Sequence, residues 1–218
     1  MHWAPTSSID NSLPQRERIL DAAYRLVSEG GWARGRVADV AAAAGLASGT
    51  VYRHFPSRAE LFVALLEQVT QREMAVMGRI IAGSGGPAER LHALVRSFIQ
   101  RAMHNRRLTR ALIAEPCERE VEEARLKLRL AIAGKLAVLL EQGKRTGDLR
   151  TPLGAELAAA LLVGGFMEAL ASQLAGLDEA LAADSPAVLC LADDLASSCC
   201  ASVAGVPALR RPAARAPR

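Results

Sequence analysis

The sequence predicts an all-α fold of about nine helices. Only 4% of the 218 residues are aromatic, and the chain is rich in Ala, Leu, Glu and Arg, which favour helices. Apolar residues recur at helical spacing in successive segments, and no segment shows the sustained alternation of a strand. A chain of this length buries roughly 70% of the surface that it exposes when unfolded, so we expect a fold that needs no disulfide or metal.

Glycine, proline and serine set the limits of the first four predicted helices. Pro14 suits a first helical position, and Gly30 ends the first apolar stripe. Gly45 separates two short helices, and Pro56 closes the second of them. Ser57 is a suitable N-cap for a longer fourth helix. The four predicted helices span 14–30, 37–44, 48–55 and 58–82.

The remaining sequence predicts five more helices and a basic tail. These helices span 88–104, 106–115, 118–144, 152–176 and 185–203. The segment 205–218 combines three prolines with four arginines and is typical of a disordered tail. Residues 1–13 have no periodicity and predict a flexible arm.

The net charge of +4 gives no argument for a nucleic-acid partner. Residues 1–60 carry seven basic and six acidic side chains, whereas the four arginines of the tail alone equal the whole net charge. Any argument for nucleic-acid binding therefore has to come from a local motif.

Export and membrane signals are weak, and we expect a cytoplasmic protein. The N-terminus lacks a basic region followed by an apolar one. The four cysteines are irregularly spaced without a CxxC pair, which favours reduced thiols. The stretch 157–177 is apolar but rich in Ala and Gly, with Glu168 near its middle, so it predicts a buried helix packed closely on another.

The two short helices at 37–44 and 48–55 predict a helix-turn-helix. Small and apolar residues at Ala41, Gly45 and Val51 lie where the two helices must cross closely. In a helix-turn-helix the second helix enters the major groove of DNA. Many helical bundles also contain pairs of short helices, so the spacing alone leaves other folds open.

The residues themselves resemble the N-terminal domain of TetR-family transcriptional regulators. The matching stretches are RERILDAA from Arg16, GGW from Gly30, VADVA from Val37 and GLASGTVYRHFPSRAEL from Gly45. The resemblance implies a flexible arm (1–13), a DNA-binding domain (14–58), a helical effector-binding and dimerising domain (59–204) and a disordered basic tail (205–218). Beyond the DNA-binding domain the chain matches the family in helix count and length only.

The resemblance implies that DNA contacts lie on and around the third helix. The candidates are Arg36, Ala47, Ser48, Gly49, Thr50, Tyr52, Arg53, His54 and Arg58. Tyr52 and Arg58 are expected on phosphates, Arg53 on a guanine, and Gly49 where backbone and DNA approach closely. Arg36 stands where the family commonly has a capping threonine. Tyr52 as a core aromatic and the arginines as solvated charges are the alternatives.

The second domain is expected to dimerise and to bind an apolar effector. Helices 152–176 and 185–203 are the candidate dimer bundle, since their small residues allow close packing. The candidate pocket residues are Phe62, Leu66, Phe98, Met103, Leu108, Leu112, Leu128, Ile132 and Phe166. Ordinary core packing is the alternative for each, and His104 and Glu168 are candidate polar anchors.

The function that these features predict is a ligand-responsive repressor, dimeric on a palindromic operator and released by a small molecule. No HExxH, Walker or GxSxG motif occurs, so we expect neither an enzyme nor a cofactor or metal. A helical carrier or enzyme for an apolar molecule, and a helix-turn-helix protein that has lost DNA binding, are the alternatives.

Overall fold

The computed structural model describes residues 13–150, 153–176, 182 and 184–204. Over these residues it is built from nine α-helices and contains no strand, which confirms the predicted all-α class. The expected tail at 205–218, and all but Leu13 of the expected arm, lie outside the described residues.

The N-terminal helices begin and end close to the predicted residues. They are α1 (Gln15–Gly30), α2 (Val37–Ala43), α3 (Ser48–His54) and α4 (Arg58–Ile81). Ser57 caps α4 as expected, because its hydroxyl accepts a hydrogen bond from the Glu60 amide at 3.1 Å. A short 3-10 helix, Trp32–Arg34, connects α1 to α2 and has no counterpart in the sequence prediction.

The remaining helices form two packed pairs with one short helix between them. They are α5 (Pro87–His104), α6 (Arg106–Ile113), α7 (Arg119–Thr146), α8 (Ala155–Gly176) and α9 (Pro186–Val203). α5 packs along α9, and α7 packs along α8. Lys144, near the end of α7, donates a hydrogen bond to the Leu153 carbonyl just before α8 at 2.9 Å, so α7 and α8 run antiparallel.

The apolar side chains form two cores, and α4 belongs to both. The first core joins α1–α4 to α6 and the start of α7, and the second joins α5, α7, α8 and α9. Leu61, Phe62 and Leu65 of α4 lie in the first core, whereas Met77 lies in the second. The first core therefore extends past the domain boundary predicted at residue 58, through Leu108 and its neighbours on α6.

α8 and α9 are each long and apolar enough to cross a membrane, judged by length and composition only. Only 33% of the window Ala155–Ala175 and 22% of Pro186–Val203 are buried, so the buried helix predicted at 157–177 is covered on one side only. Leu157 and Leu161 of α8 remain 54% and 59% exposed. A helix that packs against a second subunit has the same composition.

Candidate nucleic-acid interface

The turn between α2 and α3 brings the two short helices together as the sequence predicts. Val40 and Ala41 of α2, Ala44 directly after it and Val51 of α3 are almost fully buried. Gly45 lies in the turn with a φ of 65°, in the left-handed region that glycine adopts at little cost. This packing fixes α3 against α1 and α2 and leaves its opposite side facing solvent.

The outward side of α3 carries most of the predicted DNA-contacting residues. Val51 and Phe55 are 0% and 4% exposed and anchor the helix, whereas Tyr52 is 51% exposed. The exposed candidates near or on α3 are Ala47, Ser48, Gly49, Tyr52, Arg53 and His54, with Thr50 half-buried beside them. The alternative of Tyr52 as a core aromatic does not describe its position in this chain.

Gly49 has open space around it. A Cβ built on this glycine would meet no other protein atom within 4 Å. The packing of the chain itself therefore does not require glycine at this position. The open space leaves room for the close approach of a nucleic-acid backbone.

Two side chains of this surface are held by neighbouring residues. The Arg53 guanidinium donates a hydrogen bond to the Thr50 hydroxyl at 3.3 Å. His54 Nε2 lies 3.3 Å from the Gln15 side-chain oxygen. Arg36 is exposed at the N-cap of α2, and its side chain makes no capping hydrogen bond.

Arg58 has partners inside the protein. Its guanidinium donates to the Gly35 carbonyl at 3.3 Å and to the Trp32 carbonyl at 2.5 Å. It also pairs with Glu118 at 2.6 Å and lies 4.5 Å from the ring centroid of Phe62. In this conformation a contact with phosphate would require the ion pair with Glu118 to open.

The nine predicted pocket residues are divided between the two cores. Phe62, Leu66, Leu108, Leu112 and Leu128 belong to or pack against the first core, and Phe98, Met103, Ile132 and Phe166 belong to or pack against the second. Phe62 stacks on Trp32 with ring centroids 4.3 Å apart, and Phe98 meets Phe166 edge-on at 5.5 Å. A pocket formed by all nine residues stays a prediction.

A cleft of about 340 Å³ lies between α6, α7 and α8. Its lining residues are Ile113, Ala114, Glu122, Arg125, Arg129, Gly164, Met167, Glu168 and Ala171. Glu168 was a candidate polar anchor, but the sequence analysis missed Arg125 and Arg129. Their i, i+4 spacing, which puts both on one face of α7, was the signal that could have found them.

A second cleft of about 440 Å³ separates α1 from α4. Charged and amide side chains form much of its wall, including Arg16, Glu17, Glu67 and Gln68. Among the described residues, no group of three or more histidines, cysteines or acidic residues comes together where it could hold a metal ion.

Comparison with known proteins points to one family. A family model described as bacterial regulatory proteins of the tetR family matches residues 19–65. The HTH-type transcriptional repressor KstR of Mycolicibacterium smegmatis is 36% identical over 98 residues, which are 45% of this chain and 48% of KstR. The chain therefore spans about half the length of that relative.

Two further proteins match over more of the chain. The nucleoid occlusion factor SlmA of Aliivibrio fischeri is 30% identical over 155 residues, which are 69% of this chain and 79% of SlmA. The crystal structure of FadR from Bacillus subtilis in complex with stearoyl-CoA has a TM-score of 0.71. It is 18% identical, and the match covers 86% of this chain and 98% of FadR, so it shows a shared fold.

The helix-turn-helix, the match over residues 19–65 and the similarity to relatives over two thirds of the chain agree. The chain belongs to the TetR family of bacterial regulatory proteins and is a DNA-binding regulator of transcription.

Proposed function

We propose that the protein is a cytoplasmic repressor that binds a palindromic operator as a homodimer and is released by a small apolar effector. The observation that carries this proposal is the outward side of α3, where Tyr52, Arg53 and His54 are exposed while Val51 and Phe55 hold the helix in the core.

The chemistry of these side chains matches the two parts of a DNA contact. Tyr52 and Arg36 would contact phosphates, which position the protein without reading sequence. Arg53 would bond to the O6 and N7 atoms of a guanine in the major groove. Arg58 would reach a phosphate only after leaving Glu118. Ala47, Ser48, Gly49, Thr50 and His54 would line the approach of α3 to the groove.

A homodimer is supported by the uncovered faces of α8 and α9. Leu157 and Leu161 are both more than half exposed, and Gly165 lies on the same helix with open space around it. Small residues allow two helices to approach closely, and exposed leucines supply apolar area. A two-fold pair of recognition helices reads half-sites about one turn of DNA apart.

The effector is proposed to bind within the helices that follow α4. FadR from Bacillus subtilis shares this fold and was crystallised in complex with stearoyl-CoA, which supports the binding of a ligand by a protein of this fold. The ligand would favour one arrangement of α4 and α3 over another, and such a coupling between two sites typically amounts to 1–3 kcal/mol.

The proposal is tested by selecting bound sequences from random DNA with the purified protein. We expect an enriched palindrome with half-sites spaced by about one helical turn. Enrichment of a single unpaired half-site would contradict the dimer, and no enrichment at all would contradict DNA reading. A reporter gene placed behind the selected palindrome should be silenced by the protein, and its induction instead would contradict repression.

A further inference from the structure

The cleft between α6, α7 and α8 is lined by four charged side chains together with small and apolar residues. At about 340 Å³ it lies in the size range of small-ligand sites. Ile113 and Met167 supply apolar surface, while Arg125 and Arg129 enter from α7 and Glu168 from α8. The charged groups exceed the apolar surface in this cleft, so they would dominate the choice of a ligand.

Arg125 is a buried cation whose hydrogen bonds are incomplete. It is only 5% exposed and pairs with Glu122 at 2.6 Å. Its Nη2 donates to the carbonyls of Ala111 and Glu115, but its Nε has no partner. A buried donor left without a partner is costly, and this one is in a residue that lines the cleft.

Arg129 has no carboxylate partner among the described residues. Its Nη2 donates to the Ile113 carbonyl at 2.9 Å, and no acidic side chain of the described residues lies within ion-pair distance of it. Glu122 is already paired with Arg125. The α7 side of the cleft therefore carries two arginines and one carboxylate, Glu122, while the other carboxylate of the lining, Glu168, comes from α8.

We propose that this cleft binds a small organic acid, with its carboxylate on Arg129 and its apolar body against Ile113 and Met167. This inference rests on the proposed function and names the chemical class of its effector. A guanidinium meets a carboxylate through two parallel N–H···O bonds, which are among the stronger hydrogen bonds in proteins. Glu168, which lines the cleft from α8, repels any negative charge there and so disfavours a diacid more than a monoacid.

The same arginines connect the cleft to the DNA-binding helices. Arg125 and Arg129 hold the carbonyls of Ala111, Ile113 and Glu115 from one side. On the other side the Glu115 carboxylate accepts a hydrogen bond from the Trp32 amide at 3.0 Å. An acid that draws Arg129 away from Ile113 loosens the residues that contact the connection between α1 and α2.

The test uses calorimetric titration of the full chain with straight-chain acids from butanoate to dodecanoate, and with the alcohols of the same lengths. We expect binding of at least one acid and weaker or no binding of its alcohol. Arg129→Gln should weaken acid binding about tenfold or more, as expected for the loss of a charge-assisted pair. Arg119→Gln is the matched control, because Arg119 lies on the same helix with its side chain 88% exposed and should leave binding unchanged.

Equal binding of acid and alcohol, no binding of any acid, or unchanged binding by a folded Arg129→Gln would overturn the proposal. The melting temperature of each variant shows whether it folds. Glu168→Gln should strengthen acid binding, because it removes a like charge, and weaker binding would contradict the role of Glu168.

Operator binding, followed by fluorescence anisotropy, separates this inference from the proposed function. If the protein binds the operator but binds no acid, only the proposal that the cleft binds an acid is overturned. Acid binding by a protein that ignores DNA supports the cleft and overturns the proposed function. Glu115→Ala removes the acceptor of the Trp32 amide; it should keep acid affinity but reduce the release of operator by acid, and unchanged release would overturn transmission through Glu115.

Discussion

Tyr52 keeps its phenol on the outer side of α3, where half of its surface is accessible. We expect Tyr52→Phe to weaken DNA binding by about 0.5–1.5 kcal/mol, because it removes one hydrogen bond to a phosphate. The loss should be the same for operator and unrelated DNA, since phosphates carry no sequence information. Anisotropy titrations with both DNAs measure it, and unchanged affinity for both would rule out the phosphate contact.

Arg58 has two roles that one substitution separates. Arg58→Ala should lower the melting temperature, because it leaves Glu118 and two backbone carbonyls without their donor. If Arg58 also reaches a phosphate, the slope of log K against log salt falls by about one, and we expect this result.

Glu118→Gln is the control for that experiment. It removes the carboxylate of the same ion pair but no DNA contact, so the melting temperature should fall slightly and the salt slope should stay. The pair is about one third exposed on both sides, and such pairs contribute at most about 1 kcal/mol. An unchanged slope in Arg58→Ala would assign that residue to the interior alone.

At the scale of helices, the sequence predicted nearly every boundary because local chemistry sets them. Pro56 and Ser57 between α3 and α4 act through backbone preference and capping, which do not depend on distant residues. The short 3-10 helix Trp32–Arg34 was missed because distant residues hold it, namely Glu115 on the Trp32 amide and Arg58 on the Trp32 carbonyl.

The candidate site was predictable to a similar extent. Tyr52 and Arg53 were chosen from the resemblance of this stretch to TetR-family domains, and both are exposed on the outward side of α3. The cleft between α6, α7 and α8 could not be predicted, because it forms only when Arg129 and Glu168 approach from two helices about 40 residues apart. Glu118 and Glu122, before and in the first turn of α7, also pair with arginines of other positions, Arg58 and Arg125.

The cysteine pair of α9 makes stability depend on pH. Burial, with a smaller effect of Cys200, raises the pKa of the Cys199 thiol to about 11 from its ordinary value near 9. The unfolded chain therefore loses this proton at lower pH than the folded chain does. The free energy of unfolding should fall as pH rises from about 9 to about 11.

Urea unfolding at neutral pH and at about pH 10 measures this effect. Cys199→Ala should show a smaller decline, with Cys117 continuing to contribute because its pKa is also raised to about 11 by burial and by its hydrogen bond to Glu122. An equally steep decline in Cys199→Ala would assign the pH dependence to other groups.

At the scale of the whole molecule, the exposed leucines of α8 predict how subunits pair. Leu161→Glu should give a monomer with weak operator binding, because a charge replaces apolar surface that is 59% exposed in one chain and would be covered in a dimer. Sedimentation velocity measures the mass, and anisotropy measures the affinity for the selected palindrome.

Leu126→Glu is the matched control on α7, where the leucine is 60% exposed. It should remain dimeric and bind the operator normally. If Leu126→Glu were monomeric and Leu161→Glu remained dimeric, the dimer interface would lie on α7 and not on α8.

α4 is packed into both cores, with Leu61 and Phe62 near its start and Met77 near its end. A helix of 24 residues is about 36 Å long, so a tilt of about 5° about one end moves the other by about 3 Å. In the proposed symmetric dimer both α4 helices would tilt together. The distance between the two α3 helices would then change by up to twice that amount. A shift of that size exceeds what hydrogen bonds to bases tolerate, so in the proposed dimer a small rearrangement near Met77 would be enough to move the two α3 helices out of register with the half-sites.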